Sequence, residues 1–220
     1  MIEARFLADQ ISEEVGFRSF GIQASTEAEI GSHLLSLARR LGRPLSGRGG
    51  KLVEPIVPRD KKHAEPSSLS AVHGLGELPM HIDTGHYLQP ARFLLLGCVR
   101  PGTSGTKTRL IDTRKLEFYP DQLALLHSAP FLVRSGRRSF YSTILDRARP
   151  YFRYDPGCME PVERLGEKAM ATMRGAIARS PVEFHQWRVG EILMIDNWRM
   201  LHGRTPSAED GRLLLRVSVQ

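Results

Sequence analysis

The chain has 220 residues, 41% of them hydrophobic and 25% charged, with two cysteines. That length suits one domain able to bury a core without disulfides or a structural metal, and the composition excludes a wholly disordered chain. The net charge of +7 comes from 31 Lys and Arg against 24 Asp and Glu, but the cations are scattered in pairs such as Arg39-Arg40 and Lys61-Lys62. No basic helix, zinc-finger spacing or RNA-binding motif accompanies them, so neither nucleic acid nor membrane is an expected partner. The longest apolar run, Phe93 to Val99, is far short of the roughly 20 residues that cross a bilayer. The N-terminus, with Glu3 and Asp9, lacks the apolar core of a signal peptide. A single cytoplasmic domain over residues 1–220 is the expectation.

Helical turns are expected around Ile2–Val15. A firmer helix spans 27–41: Thr26 and Glu29 have capping-box spacing, and Ile30, Leu34, Leu37 and Leu41 form one stripe. Gly42 and Pro44 end it. Lys51–Arg59 reads as a strand and 60–79 as a loop. Short strands follow at Leu78–Asp83, Arg92–Arg100, Lys107–Thr113, Phe131–Ser135, Phe140–Leu145, Tyr151–Tyr154, Glu191–Ile195 and Arg212–Val219, most of them bounded by Gly, Pro, Asp or Ser. Pro120–His127 and Met159–Arg179 read as helices. Many short strands with few helices predict a mainly β fold with flanking helices, of sandwich or jelly-roll type.

Three stretches carry chemistry. In Met80-His81-Ile82-Asp83, a strand would put His81 and Asp83 on one side, about 7 Å apart at the backbone, within reach of one metal ion. Taken alone, such a pair is far more often a surface His and Asp flanking a turn. In the stretch Asp196-Asn197-Trp198-Arg199-Met200-Leu201-His202, His202 falls just past the end of an apolar strand, where functional loops gather. In Arg212–Val219, Arg212, Leu214, Arg216 and Ser218 share one face while Leu213, Leu215, Val217 and Val219 make the other wholly apolar. Such a strand reads either as internal to a sheet or as one with a solvent-exposed polar face; if it is internal, the buried arginines need counter-charges, which a bound carboxylate would supply. Two histidines and one carboxylate with open positions form the facial triad of non-haem Fe(II) oxygenases.

On these residues the chain resembles the Fe(II)/2-oxoglutarate dioxygenases of the taurine dioxygenase (TauD/TfdA-like) family. The resembling stretches are LPMHIDTGHYLQPARFLLLGCVRPGTSGTKTRLID, residues 78–112, and GEILMIDNWRMLHGRTPSAEDGRLLLR, residues 190–216. The resemblance implies a double-stranded β-helix, the jelly roll or cupin-like barrel. It implies that His81, Asp83 and His202 are the catalytic iron ligands, that Thr108 and Arg212 bind 2-oxoglutarate, and that Arg216 faces the acidic group of a small substrate. The implied reaction consumes O2 and 2-oxoglutarate, releases succinate and CO2, and hydroxylates or otherwise oxidises an anionic or amino-acid-like molecule. Halogenation is disfavoured, because Asp83 stands where a halide would bind. The chain departs from the family in a short interval between Thr108 and His202, and in Gly105-Thr106-Lys107-Thr108 where Gly-Gly-x-Thr is common; a homo-oligomer remains open.

Two other readings use the same residues. One is a metal-dependent hydrolase or isomerase on a cupin-like barrel, which would have no use for Thr108 and Arg212 as co-substrate ligands. The other is a non-catalytic basic module binding polyanions, which would keep its affinity without His81. Among the remaining residues, Asp196 and Asn197 could brace His202, His73, His86 and Arg153 could line the pocket, and Trp198 and the methionines read as packing.

Overall fold

The computed structural model of the protein describes residue 9 and residues 11–64, 69–136 and 138–220. In chain order, a π-helical turn at Ile11–Val15 leads to β1 (Phe17–Gly21), α1 (Glu27–Leu41), β2 (Glu54–Ile56), α2 (Leu69–His73), β3 (Leu78–His81), β4 (Phe93–Arg100) and β5 (Thr108–Asp112). Then come α3 (Pro120–Ser128), β6 (Phe131–Val133), β7 (Phe140–Ser142), β8 (Met159–Pro161), α4 (Glu163–Arg179), β9 (Glu183–His185), β10 (Glu191–Asp196), β11 (Met200–Arg204) and β12 (Leu213–Val219). The strands form antiparallel sheets in the orders β1-β10-β4-β12-β2, β3-β11-β5-β9 and β7-β6-β8.

Alternation along the strands stacks these elements in layers. The stripe of α1, with Ile30, Leu34 and Ala38 buried, lies on Phe93 and Leu95 of β4 and on Leu213, Leu215, Val217 and Val219 of β12. The other face of that sheet presents Leu94, Leu96, Cys98, Leu193, Ile195 and Leu214, which meet Leu110, Met200 and Trp187 on the side of the second sheet. The far face of the second sheet, with Met80, Ile111 and Leu201, packs together with Ile82 on α3, α4 and the small third sheet. The second sheet therefore has an apolar outer face, and its inward positions at His81, His202 and Thr108 open onto the space between the two large sheets.

The capping box at Thr26 forms as the sequence predicts: the Glu29 N–H donates to the Thr26 hydroxyl, and the Glu29 carboxylate accepts the Thr26 N–H. Other segments differ. Lys51–Arg59 pairs only over Glu54–Ile56, at an edge where Pro55 has no N–H to lose. The 60–79 loop contains α2. Met159–Arg179 opens as strand β8, because Pro161 cannot donate inside a helix and the segment pairs with β6; the helix starts at Glu163. Tyr151–Tyr154 forms only the Leu145–Phe152 bridge. Strands β1, β9 and β11 are short or polar and were not expected. Of the helical turns expected around Ile2–Val15, only Asp9 and Ile11–Val15 are among the described residues.

Helix α1 approaches β4 at Gly97, where an added Cβ would stand 2.7 Å from Ile30 Cγ2 and 3.0 Å from Leu34 Cδ1. Gly97→Val should push α1 off the sheet and cost roughly 1–3 kcal/mol. Urea denaturation checks this, and unchanged stability would show that the helix does not depend on that contact.

Candidate metal centre

Antiparallel pairing of β3 with β11 sets His81 directly opposite His202, and their ring centroids lie 4.5 Å apart. His202 is thus on a strand and not just past one, while Asp83 lies two residues beyond His81, just outside β3. Asn197 holds it there. The Asp83 N–H donates to Asn197 Oδ1 at 2.8 Å, and Asn197 Nδ2 donates to the carbonyls of Asp83 at 3.0 Å and Ala91 at 2.8 Å. Nε2 of His81 and Nε2 of His202 each stand 3.8 Å from Asp83 Oδ1. His81 Nδ1 lies 2.8 Å from the Pro79 carbonyl. That contact fixes the proton on Nδ1 in the neutral ring and turns the Nε2 lone pair toward the carboxylate.

All three residues are buried, and one ligand atom from each falls within 4.8 Å of the others. Two imidazole nitrogens and a carboxylate oxygen suit Fe(II), with the remaining positions left open. The electrostatics agree with a built site. Burial by itself would raise the pKa of Asp83, but the Arg216 guanidinium, with His202 and His81 close by, holds it well below the ordinary carboxylate value. Burial and the neighbouring His81 lower the pKa of His202. In His81 burial acts downward too, and its bonds and charges from Asp83 and Asp155 outweigh it to raise the pKa.

The other residues singled out by the sequence line the same inter-sheet space. Arg212 is 3% exposed, and its buried Nε has no hydrogen-bond partner among the described residues. Burial, followed by the positive charge of Arg204 nearby, pulls its pKa down to about 10. A buried guanidinium without a bonded carboxylate is costly unless a ligand supplies the anion. Thr108 starts β5, opposite Arg204 of β11. Its Oγ1 accepts the Trp187 indole N–H at 3.0 Å, so its own O–H is left to donate elsewhere. Arg216 does not stand alone: Nη1 contacts Asp83 Oδ2 at 3.0 Å and Oδ1 at 3.2 Å, while Nη2 reaches Glu54 Oε2 at 2.9 Å.

Some neighbours differ from expectation. Asn197 braces Asp83 and not His202, and Asp196 accepts the Trp198 N–H to close a turn. Arg153, 1% exposed, donates to the carbonyls of Gly85, Tyr87 and Leu88 and so clamps the turn that follows Asp83. Trp198 packs against Tyr151 and donates to the Pro90 carbonyl. No spacing or periodicity marks Glu54 or Trp187, whose partners Arg216 and Thr108 are remote in the chain.

Residues 118–218 match the family model described as taurine catabolism dioxygenase TauD, TfdA family. The matched residues make up a little under half of the chain. The match includes His202, Arg212 and Arg216. No curated protein matches the chain in sequence. Among solved structures, asparagine oxygenase in complex with Fe(II), (2S,3S)-3-hydroxyasparagine and succinate is similar with a TM-score of 0.77 and 20% identity, over 98% of this chain and 78% of that one. The non-haem iron oxygenase OrfP in complex with Fe and alpha-ketoglutaric acid gives a TM-score of 0.73 and 21% identity, over 99% and 79%. These likenesses carry the fold across nearly the whole chain. No helix among the described residues is long and apolar enough to cross a membrane.

Asn197→Ala would leave the Asp83 N–H and the Ala91 carbonyl without their partner, while the Asp83 carbonyl keeps only the Thr84 hydroxyl. It should cost roughly 2–4 kcal/mol of stability and lower metal affinity by about tenfold or more. Denaturation and Co(II) titration measure the two effects, and an unchanged metal affinity would deny Asn197 its hold on Asp83.

Proposed function

We propose that this chain is an Fe(II)- and 2-oxoglutarate-dependent oxygenase acting on a small amino-acid-like substrate. In this reading the two facing sheets are the halves of a double-stranded β-helix, and residues 1–220 form one domain. His81, Asp83 and His202 hold Fe(II). The donor set fits that ion, being two imidazole Nε2 atoms and one carboxylate oxygen converging in a buried space. When bound, the iron with 2-oxoglutarate and O2 supplies the oxidising power, and 2-oxoglutarate leaves as succinate and CO2.

The rest falls to the protein's own side chains. Arg212 and the free O–H of Thr108 receive the distal carboxylate of 2-oxoglutarate. Trp187 orients that hydroxyl by occupying its acceptor side. Arg216 retains an N–H on Nη2 beyond its contact with Glu54, and this reaches the carboxylate of the substrate. Leu110, Met200 and Leu214 wall the space with apolar surface and keep water from it. The amino-acid substrate class draws support from the similar proteins: the asparagine oxygenase holds a hydroxyasparagine, and OrfP has been captured with (3S)-hydroxy-L-Arg. A cytoplasmic setting suits the two free thiols, Cys98 and Cys158.

The observation that carries this reading is Arg212. A metal-dependent hydrolase needs the triad but not a buried, unbonded guanidinium in the same space. Anaerobic titration with Fe(II) and 2-oxoglutarate tests it through the weak visible charge-transfer band of the chelate. The band should appear, vanish in His202→Ala, and require about tenfold or more 2-oxoglutarate in Arg212→Gln, the cost of losing a charge-assisted hydrogen bond to a buried group. Metal uptake with no band at any 2-oxoglutarate concentration would favour the hydrolase, and no metal uptake would remove both.

A further inference from the structure

Glu54 has no role in the account so far, yet it ends a chain of charges that begins at the metal carboxylate. The register of β12 on β2 sets Arg216 opposite Glu54. Glu54 Oε2 accepts from Arg216 Nη2 at 2.9 Å and from Nε at 3.3 Å. The other side of the same guanidinium is thereby aimed at Asp83, where Nη1 lies 3.0 Å from Oδ2 and 3.2 Å from Oδ1. The two oxygens of Asp83 are not equivalent. Oδ1 is the one facing both histidines, 3.8 Å from each Nε2, and Oδ2 is the one nearer Arg216. The Glu54 and Arg216 side chains are 15% and 26% exposed, so the contact is partly shielded from water and salt.

Resting on the oxygenase reading, we propose that Glu54 is a positioning residue which, through Arg216, limits Asp83 to one-oxygen ligation of the metal. The physical need is plain. A chelating keto acid and O2 must share the positions that the triad leaves open, and a carboxylate that swung to bind through both oxygens would take one of them. A charge-assisted hydrogen bond to Oδ2 opposes that swing. Arg216 can give it only while its own fork is held, and Glu54 holds two of its nitrogens. Without Glu54 the guanidinium is free to turn away or to follow a ligand, and Asp83 Oδ2 is released toward the metal. Part of the charge of Arg216 is also answered by Glu54, so Arg216 alone does not make this pocket a site for polyanions.

The test uses the full chain loaded with Co(II), whose visible spectrum responds to coordination number. Glu54→Gln keeps the shape of the side chain and removes its charge. The expected result is Co(II) affinity within about threefold of the parent, an altered Co(II) spectrum before co-substrate is added, and 2-oxoglutarate affinity of the Co(II) form reduced tenfold or more, the usual scale for outer partners of metal ligands. A purely structural pair across two strands would lower thermal stability and leave the spectrum and the 2-oxoglutarate affinity alone, which overturns the proposal. Arg216→Lys provides a second route if Glu54→Gln folds poorly: a lysine cannot bridge both carboxylates, so it should reproduce the spectral change, and an unaltered spectrum again overturns the proposal. Failure of the oxygenase reading looks different, since the parent Co(II) protein itself would not respond to 2-oxoglutarate.

Discussion

The structure turns on a buried carboxylate that needs company. Asp83 sits between two sheets, where burial disfavours its charge, and it remains ionised only because Arg216 and two histidines surround it. Removing one partner from such a group leaves an uncompensated charge in a poor dielectric, which is far costlier than losing a surface ion pair. The same condition makes the place suitable for a cation. Two imidazoles and a carboxylate that is already ionised offer three donors to a divalent ion, and a proton carried on His81, whose pKa is raised by Asp83 and Asp155, is released when the ion binds.

Backbone pairing brings these groups together. His81 and His202 are neighbours because β3 and β11 pair, and they point inward because Leu201 and Met80 belong to the outer core. Arg212 and Arg216 project into the same space because the residues between and beside them, Leu213, Leu215 and Val217, are claimed by α1. Hydrophobic burial on the outer faces thus fixes the register of the polar inner ones, and a slip of one residue would turn both histidines out of the site. Asp83 escapes this logic, being just beyond its strand, and that is why it depends on the side chain of Asn197 and on the turn clamped by Arg153.

Much of this could be read from the sequence because it is local. The His-x-Asp spacing, the alternation in Arg212–Val219 and the capping box at Thr26 each need only a few residues and one periodicity. What escaped reading is non-local. Glu54 and Arg216 are 162 positions apart, and no spacing rule connects them. Asn197 lies five residues before His202 and invites assignment to it, yet it bonds the backbone of Asp83, 114 positions away. Strands β9 and β11 are short and carry polar residues, so periodicity cannot separate them from loops; sheet pairing defines them. The segment from Met159 has helical composition, and only Pro161 and the partner strand β6 turn its start into a strand.

The most direct measurement is an anaerobic crystal structure of the chain with Mn(II), an inert stand-in for Fe(II), and 2-oxoglutarate. The account predicts the ion bonded to Nε2 of His81, Nε2 of His202 and one oxygen of Asp83, with the distal carboxylate of 2-oxoglutarate on Arg212 and Thr108. An ion bound elsewhere, or a 2-oxoglutarate that leaves Arg212 without a partner, would contradict it.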